Sequence, residues 1–279
     1  MNARLDELLV RFGDSFGTMV VRLWTPPVSR GTVFCIHGFE GNGGDFGYLA
    51  RHLVQFDLTV VAPDLIGRGR STFLRDSAKY NVDAYLICLA ALSKYAGKTN
   101  HFVATSWGGA MTLAFLSGSG LKADKLVLND VSLRGNSATD RLADSIRQEA
   151  ALEFDRIEDA YAYVRQTRAF LGEIPQDLWP DYLQNRVRME DGKYRLAYDP
   201  LALPGDRRER YDRVPLLMKI RSEILLLYGR HSRIFDAEAA TAAVNSRPGI
   251  RCVLVPGAAH PVSLMTREQA LLVSEFLAS

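Results

Sequence analysis

Short apolar runs recur along this chain at 19–24, 32–36, 58–62, 102–105, 126–128, 224–228 and 252–255. The run Thr32-Val33-Phe34-Cys35-Ile36 is almost continuous, the pattern of a strand covered on both faces. Stretches with helical spacing separate these runs, at 46–55, 82–95, 110–117, 237–244 and 266–277. Short apolar strands alternating with amphipathic helices predict an α/β domain with a mainly parallel central sheet and helices on both faces. One interval breaks the rhythm. Residues 134–221 contain no core strand and show helical spacing at 138–152, 157–171 and 177–189. A polar turn, Asp191-Gly192-Lys193, and a Pro- and Gly-punctuated stretch at 200–205 follow. This interval reads as a helical cap inserted into a core made of residues 1–133 and 222–279.

Composition narrows the class without naming it. The chain has 279 residues, 47% of them hydrophobic, enough to bury a sizeable core. No run reaches the roughly 18 apolar residues of a membrane span. The net charge of +2 gives no pull toward nucleic acid or anionic membranes, and the basic cluster Arg207-Arg208-Glu209-Arg210 is broken by an acid. Residues 1–11 mix polar and apolar positions, with Arg4, Asp6 and Glu7, and lack the apolar core of a secretory signal. Cys35, Cys88 and Cys252 have no metal-ligand spacing and read as buried free thiols of a reducing cytosol. No cofactor and no metal are expected, and the expected location is cytoplasmic.

The chemistry concentrates at the ends of the apolar runs. Ala104-Thr105-Ser106-Trp107-Gly108-Gly109 joins a strand to a helix and holds a serine between small residues, the layout of a nucleophile elbow. Its first small residue is alanine where the pattern G-x-S-x-G has glycine. His37-Gly38-Phe39 follows the strand at 32–36 and opens a glycine-rich loop with Gly41, Gly43 and Gly44. That loop lacks the Gly-Lys-Ser/Thr ending of a P-loop and the spacing of a dinucleotide site. Asp64-Leu65-Ile66-Gly67-Arg68-Gly69-Arg70-Ser71 follows the next strand and reads as a tight turn. Leu128-Asn129-Asp130 ends a fourth run, and Pro256-Gly257-Ala258-Ala259-His260 follows the last.

In this order the motifs resemble the α/β-hydrolase fold family over nearly the whole chain, with the cap inserted after that fold's strand 6. The resemblance implies Ser106 as nucleophile and His260 as its base, since a serine hydroxyl barely ionises near neutral pH and needs a base within reach. It implies an oxyanion hole built from the backbone N–H groups of Phe39 and Trp107. His37 matches the family's structural His-Gly turn, and His52, His101 and His231 have no context as a base.

The acid is the ambiguous member. Relatives usually carry it just after strand 7, where this chain reads Ser232-Arg233. An arginine there disfavours charging His260. Asp130 at the end of strand 6 is one replacement. Asp236 is another, although it sits where a helix N-cap belongs. The absence of any acid is the third possibility. The leading expectation is a serine hydrolase of carboxylic esters or thioesters working through an acyl-enzyme, its partner a small molecule with an apolar acyl part. Alternatives are a non-hydrolytic lyase or a weakly catalytic ligand-binding protein on the same fold. A haloalkane dehalogenase needs a carboxylate where Ser106 stands. Trp107 is expected to wall the acyl site. Of the cap aromatics Tyr161, Tyr163, Phe170, Trp179, Tyr182, Tyr194 and Tyr198, most are expected to pack helices and a few to line an apolar pocket. Oligomeric state is left open.

Overall fold

Every apolar run named above is a strand, and they share one sheet. The computed structural model describes residues 2–168, 171–172, 174–202 and 211–279; Phe170, the 207–210 cluster and residues 203–205 lie outside them. The strands are β1 (Arg4–Phe12), β2 (Ser15–Trp24), β3 (Gly31–Ile36), β4 (Leu58–Pro63), β5 (Asn100–Thr105), β6 (Lys125–Asn129), β7 (Val187–Glu190), β8 (Lys193–Leu196), β9 (Glu223–Gly229) and β10 (Ile250–Val255). Eight of them form the sheet in the order β1-β2-β4-β3-β5-β6-β9-β10. Pairing is parallel from β4 to β10, and β2 runs antiparallel to both β1 and β4. This is the α/β-hydrolase fold that the sequence predicts.

The helices are α1 (Gly47–Val54), α2 (Val82–Ala91), α3 (Trp107–Gly118), α4 (Ser137–Glu149), α5 (Ile157–Thr167), α6 (Trp179–Arg186), α7 (Val214–Lys219), α8 (Ala237–Ser246) and α9 (Arg267–Ala278). Successive strand residues point to opposite faces. Phe34 and Ile36 therefore join one core with α2, α3, α7 and α8, while Val33 and Cys35 join another with α1 and α9. Strand order reverses at β3, flanked by β4 on one side and β5 on the other. Clefts of open α/β sheets form at the strand C-termini beside such a reversal, and Ser106 follows β5 there.

Three elements depart from the expectation. β1 lies in the segment whose polar and apolar residues alternate; Leu8, Val10 and Phe12 turn inward while the first half of the strand faces solvent. The helix expected to run to 189 stops at Arg186, and β7 and β8 form a hairpin instead. Asp191 and Gly192 have φ of 50° and 76°. That pair of positive values makes a two-residue hairpin turn, which overrides helical spacing in the residues before it. The interval between β6 and β9 is therefore not purely helical, and its last helix, α7, buries Leu217 in the core shared with α3 and α8. Cys35 and Cys88 are buried as expected, but Cys252 is exposed because β10 is the sheet's edge. No helix among the described residues is long and apolar enough to cross a membrane.

Candidate active site

Ser106 occupies the hinge between β5 and α3 at φ 51° and ψ −121°, a conformation natural to glycine and strained for any other residue. The turn is held by register and close contact. Ser106 N–H donates to Asn129 O across β6 at 2.9 Å. A Cβ on Gly108 would lie 2.2 Å from His37 O, so only glycine lets α3 start this close to the end of β3. Ala104 is fully buried and its methyl is accommodated, which is why alanine serves at the first elbow position. The serine side chain caps no backbone N–H. Its Oγ instead lies 2.8 Å from His260 Nε2.

His260 reaches the serine from the loop after β10. That loop crosses β9 so tightly that a Cβ on Gly229 would lie 2.3 Å from Ala259 O. Asn129 Nδ2 donates to Val262 O at 2.9 Å and ties the same loop to the end of β6. On the far side of the ring, Asp130 Oδ1 stands 3.3 Å from His260 Nδ1, with the carboxylate wholly buried. The separation is that of an ion pair, and at this angle Nδ1 makes no aligned hydrogen bond. Catalytic hydrogen bonds are commonly long before substrate tightens them. Ser232, at the place where relatives carry the acid, donates its Oγ hydrogen to Asp130 Oδ1 at 2.8 Å. Ser232 Oγ also accepts from Ile234 N–H and Phe235 N–H at 3.2 and 3.3 Å. Arg233 is exposed. Asp236 caps α8, accepting from Ala239 N–H at 2.9 Å. Of the two carboxylates considered, Asp130 is the one at the histidine.

The loop after β3 lies beside the serine: a Cβ on Gly38 would meet Ser106 Cβ at 3.5 Å. Trp107 is the first residue of α3, where an N–H has no partner within the helix and the helix end is positive. Phe39 and Trp107 are in contact, their rings 5.6 Å apart. Trp107 also packs edge-on against Tyr85 at 4.5 Å, so its ring does not wall the site as expected. Arg68 stands out in the sequence only as part of the tight turn at 64–71. It is fully buried, donates Nε to Phe39 O, and stacks its guanidinium 4.3 Å from the Phe39 ring and 5.7 Å from that of Trp107. It thereby fixes the Phe39 loop. Asp64 does the same for the next turn, accepting from Gly43 N–H and Arg70 N–H at 2.9 Å each and pairing with Arg22. A buried charge paired across three segments, signalled by no local pattern, is visible only in three dimensions.

His37 is locked in its neutral form. Nε2 accepts from Leu65 N–H at 3.0 Å, and Nδ1 donates to Gly38 O at 2.7 Å. Burial drives its pKa from 6.5 down to about 3, against the Gly38 bond, which favours the cation. The ring is neutral in both folded and unfolded chains above pH 6.5. Below that the unfolded chain takes up a proton the native state refuses, so stability falls with pH by up to about 1.4 kcal/mol per unit. Urea unfolding at stepped pH from 7 to 4.5 is expected to show this slope, and His37→Gln is expected to lose about one proton of it. Equal slopes in both proteins would reject the assignment. Of the other histidines, His52 packs on Tyr48, His101 is buried in β5, and His231 is exposed.

A cavity of about 80 Å³ opens over Ser106 and His260. The 134–221 interval supplies Leu142, Ile146, Leu171, Tyr182 and Arg186 to its lining. Tyr182 is thus the one aromatic of that interval named above that reaches it among the described residues; Trp179 and Tyr198 pack within the interval's own core. Among the described residues, no three His, Cys, Asp or Glu side chains are grouped to hold a metal ion.

The profile of the Alpha/beta hydrolase family matches residues 33–275. The chain belongs to the alpha/beta hydrolase family. Membership makes it a hydrolase-type enzyme. It is 27% identical over 275 residues to a 3-hydroxybutyrate-oligomer hydrolase of Cupriavidus necator, covering 92% of each chain. Among solved structures it resembles an alpha/beta hydrolase from Novosphingobium aromaticivorans, with a TM-score of 0.83 at 24% identity over 99% of this chain and 98% of that one. An esterase from Exiguobacterium antarcticum matches with a TM-score of 0.72 at 17% identity, over 98% of this chain and 100% of that one. At these identities the structures speak for the fold of this alpha/beta hydrolase and not for its substrate.

Proposed function

We propose that this alpha/beta hydrolase cleaves carboxylic esters through an acyl-enzyme on Ser106. The observation that carries this reading is the contact between Ser106 Oγ and His260 Nε2 at 2.8 Å, with Asp130 behind the ring. His260 takes the serine proton as Oγ bonds to the carbonyl carbon. The N–H groups of Phe39 and Trp107 receive the oxyanion, where one such donor is typically worth about 10²-fold or more in turnover. Collapse breaks the bond to the leaving group, which departs with the proton held by His260. Water then repeats the sequence and frees the acid. Asp130 holds the His260 tautomer that keeps Nε2 free to accept.

The 134–221 interval acts in this reading as a cap over the acyl site, and a cytoplasmic setting suits the free buried Cys35 and Cys88. The name of the Cupriavidus relative makes 3-hydroxybutyrate esters the first class to assay, with thioesters beside them. The lyase and weak-binder alternatives rested on the missing strand-7 acid, with Arg233 and Ala104; Asp130 beside His260 supports the hydrolase reading over them. A fluorophosphonate probe is expected to label the wild type and not Ser106→Ala. An unlabelled wild type that also spares short acyl esters would overturn the proposal.

A further inference from the structure

The glycine-rich loop that carries Phe39 belongs to no helix or strand, and its carbonyls are held one by one. Gly38 O accepts from His37 Nδ1 at 2.7 Å and from Gly41 N–H at 3.1 Å. Phe39 O accepts from Arg68 Nε. Glu40 O accepts at 2.6 Å from Nη1 of Arg186, the last residue of α6 in the 134–221 interval. The same guanidinium pairs Nη2 with Asp45 Oδ2 at 2.9 Å, so one planar fork staples both ends of the segment 40–45. The Glu40 carboxylate meets Arg168 Nη2 at 2.7 Å, and Arg168, buried just after α5, is held in turn by Glu149 of α4 at 2.6 Å.

The two surfaces are fitted to each other. A Cβ on Gly44 would lie 2.4 Å from Asn185 Cγ, so α6 comes this close to the loop only because glycine stands there. Asn42 Nδ2 donates to Asn185 O at 2.6 Å. The residues after β8 grip the turn that carries Arg68: Gly69 N–H donates to Ala197 O and Asp199 N–H to Gly67 O, at 2.8 Å each. Core and insertion therefore hold the Phe39 loop together. Fixing a loop backbone costs about 1–2 kcal/mol per residue in conformational entropy. A misplacement of about 1 Å in a reacting constellation can cost on the order of 10²-fold in rate. These contacts remove the loop's freedom before substrate arrives.

We infer that Arg186 and Arg168 are positioning residues for the oxyanion hole, so that the 134–221 interval is part of its scaffold as well as part of the cavity wall. The inference rests on the ester hydrolysis proposed above, with Phe39 N–H as one of the two oxyanion donors. Both arginines act through Glu40, the residue next to Phe39. An interval lifted off the core would release Glu40 and loosen that donor, so the chemical step belongs to the closed arrangement.

The test uses the full chain, with p-nitrophenyl butyrate as substrate and butylboronic acid as a tetrahedral analogue whose oxygen occupies the oxyanion hole. One preorganised donor is worth about 10²–10³-fold in turnover, and loosening it forfeits part of that. Arg186→Met is expected to lower kcat by about 20-fold, to leave KM within about 3-fold, and to weaken the boronic acid by about the same factor as kcat/KM. Arg186→Lys keeps a charged donor for Glu40 O and is expected to recover about half of that loss on a logarithmic scale. Glu40→Ala leaves Arg168 on Glu149 and the Glu40 carbonyl on Arg186. It is expected to lower kcat by about 5-fold, again with KM little changed. Thermal melting establishes that each variant is folded; should Arg186→Met not fold, Arg186→Lys and Glu40→Ala decide the matter. A merely structural role lowers the melting temperature and the active fraction but leaves the analogue's affinity for that fraction unchanged. Variants within about 2-fold of an active wild type in kcat and in analogue affinity would overturn the inference and leave ester hydrolysis standing. A loss confined to KM would also overturn it, making Arg186 a substrate contact. No ester turnover and no phosphonate labelling of the wild type would overturn both readings together.

Discussion

Replacing Ser106 with alanine is expected to lower kcat on short acyl esters by about 10⁶-fold, the loss seen when a nucleophile leaves a cooperative set of groups. The protein is expected to stay folded. The Ser106 hydroxyl caps no backbone N–H, and its hydrogen-bond partner among the described residues is His260, so the variant leaves no orphaned donor at the start of α3. A second substitution separates chemistry from strain. Ser106→Gly is equally inactive but relieves a residue held at φ 51° and ψ −121°. Strain of this kind costs on the order of 1–3 kcal/mol, so the glycine variant is expected to melt higher than Ser106→Ala. Steady-state kinetics and thermal melting on both variants check the pair of outcomes. Activity retained in either would move the nucleophile elsewhere.

The sequence exposes Ser106 and His260 because each belongs to a local pattern. A strand, a sharp turn between small residues and a helix stand together within about a dozen positions, and His260 follows directly on the last strand. Asp130 was legible as a candidate and no further. Its place beside His260 depends on β6 lying between β5 and β9 and on the Ser232 hydroxyl reaching it from the next strand end. Ser232 looked like the lack of an acid and is instead the tether of one. Asp236 reads correctly as a cap because a carboxylate at a helix start is again a local signal. The role of Arg68 escaped, and Tyr182 could not be singled out among the seven aromatics of the 134–221 interval, for the opposite reason. A buried guanidinium over Phe39 and a tyrosine from the insertion reach the site only through tertiary packing. β1 carried its signal in plain alternation, but half of it faces water and its charges disguised the other half. The β7–β8 hairpin was signalled by Asp191-Gly192, a local cue that outranks the helical spacing before it.

Asp130→Asn is expected to lower kcat by about 10⁴-fold with little change in KM, because an amide in that place favours the wrong tautomer of His260. The geometry makes the argument specific. Asp130 has φ of 54°, which asparagine tolerates, so the backbone does not have to move. Its Oδ1 accepts from Ser232 and faces His260 Nδ1 at 3.3 Å. An asparagine with its NH₂ in the Oδ1 position donates one hydrogen to the Ser232 oxygen and the other to the ring, where Nδ1 then accepts and Nε2 carries the proton. Ser106 Oγ loses its base while remaining in place, so phosphonate labelling is expected to slow and not vanish. The position of Ser232 offers a rescue that a structural role for Asp130 does not predict. Ser232→Asp alone sets two carboxylates against each other and is expected to be poorly active. Combined with Asp130→Asn, it returns a carboxylate to the histidine from the neighbouring strand and is expected to recover about 10²-fold of the lost turnover, a partial restoration of the tautomer contribution. A loss below about 10-fold in Asp130→Asn would remove Asp130 from the catalytic set, since orienting carboxylates cost far more than that when neutralised.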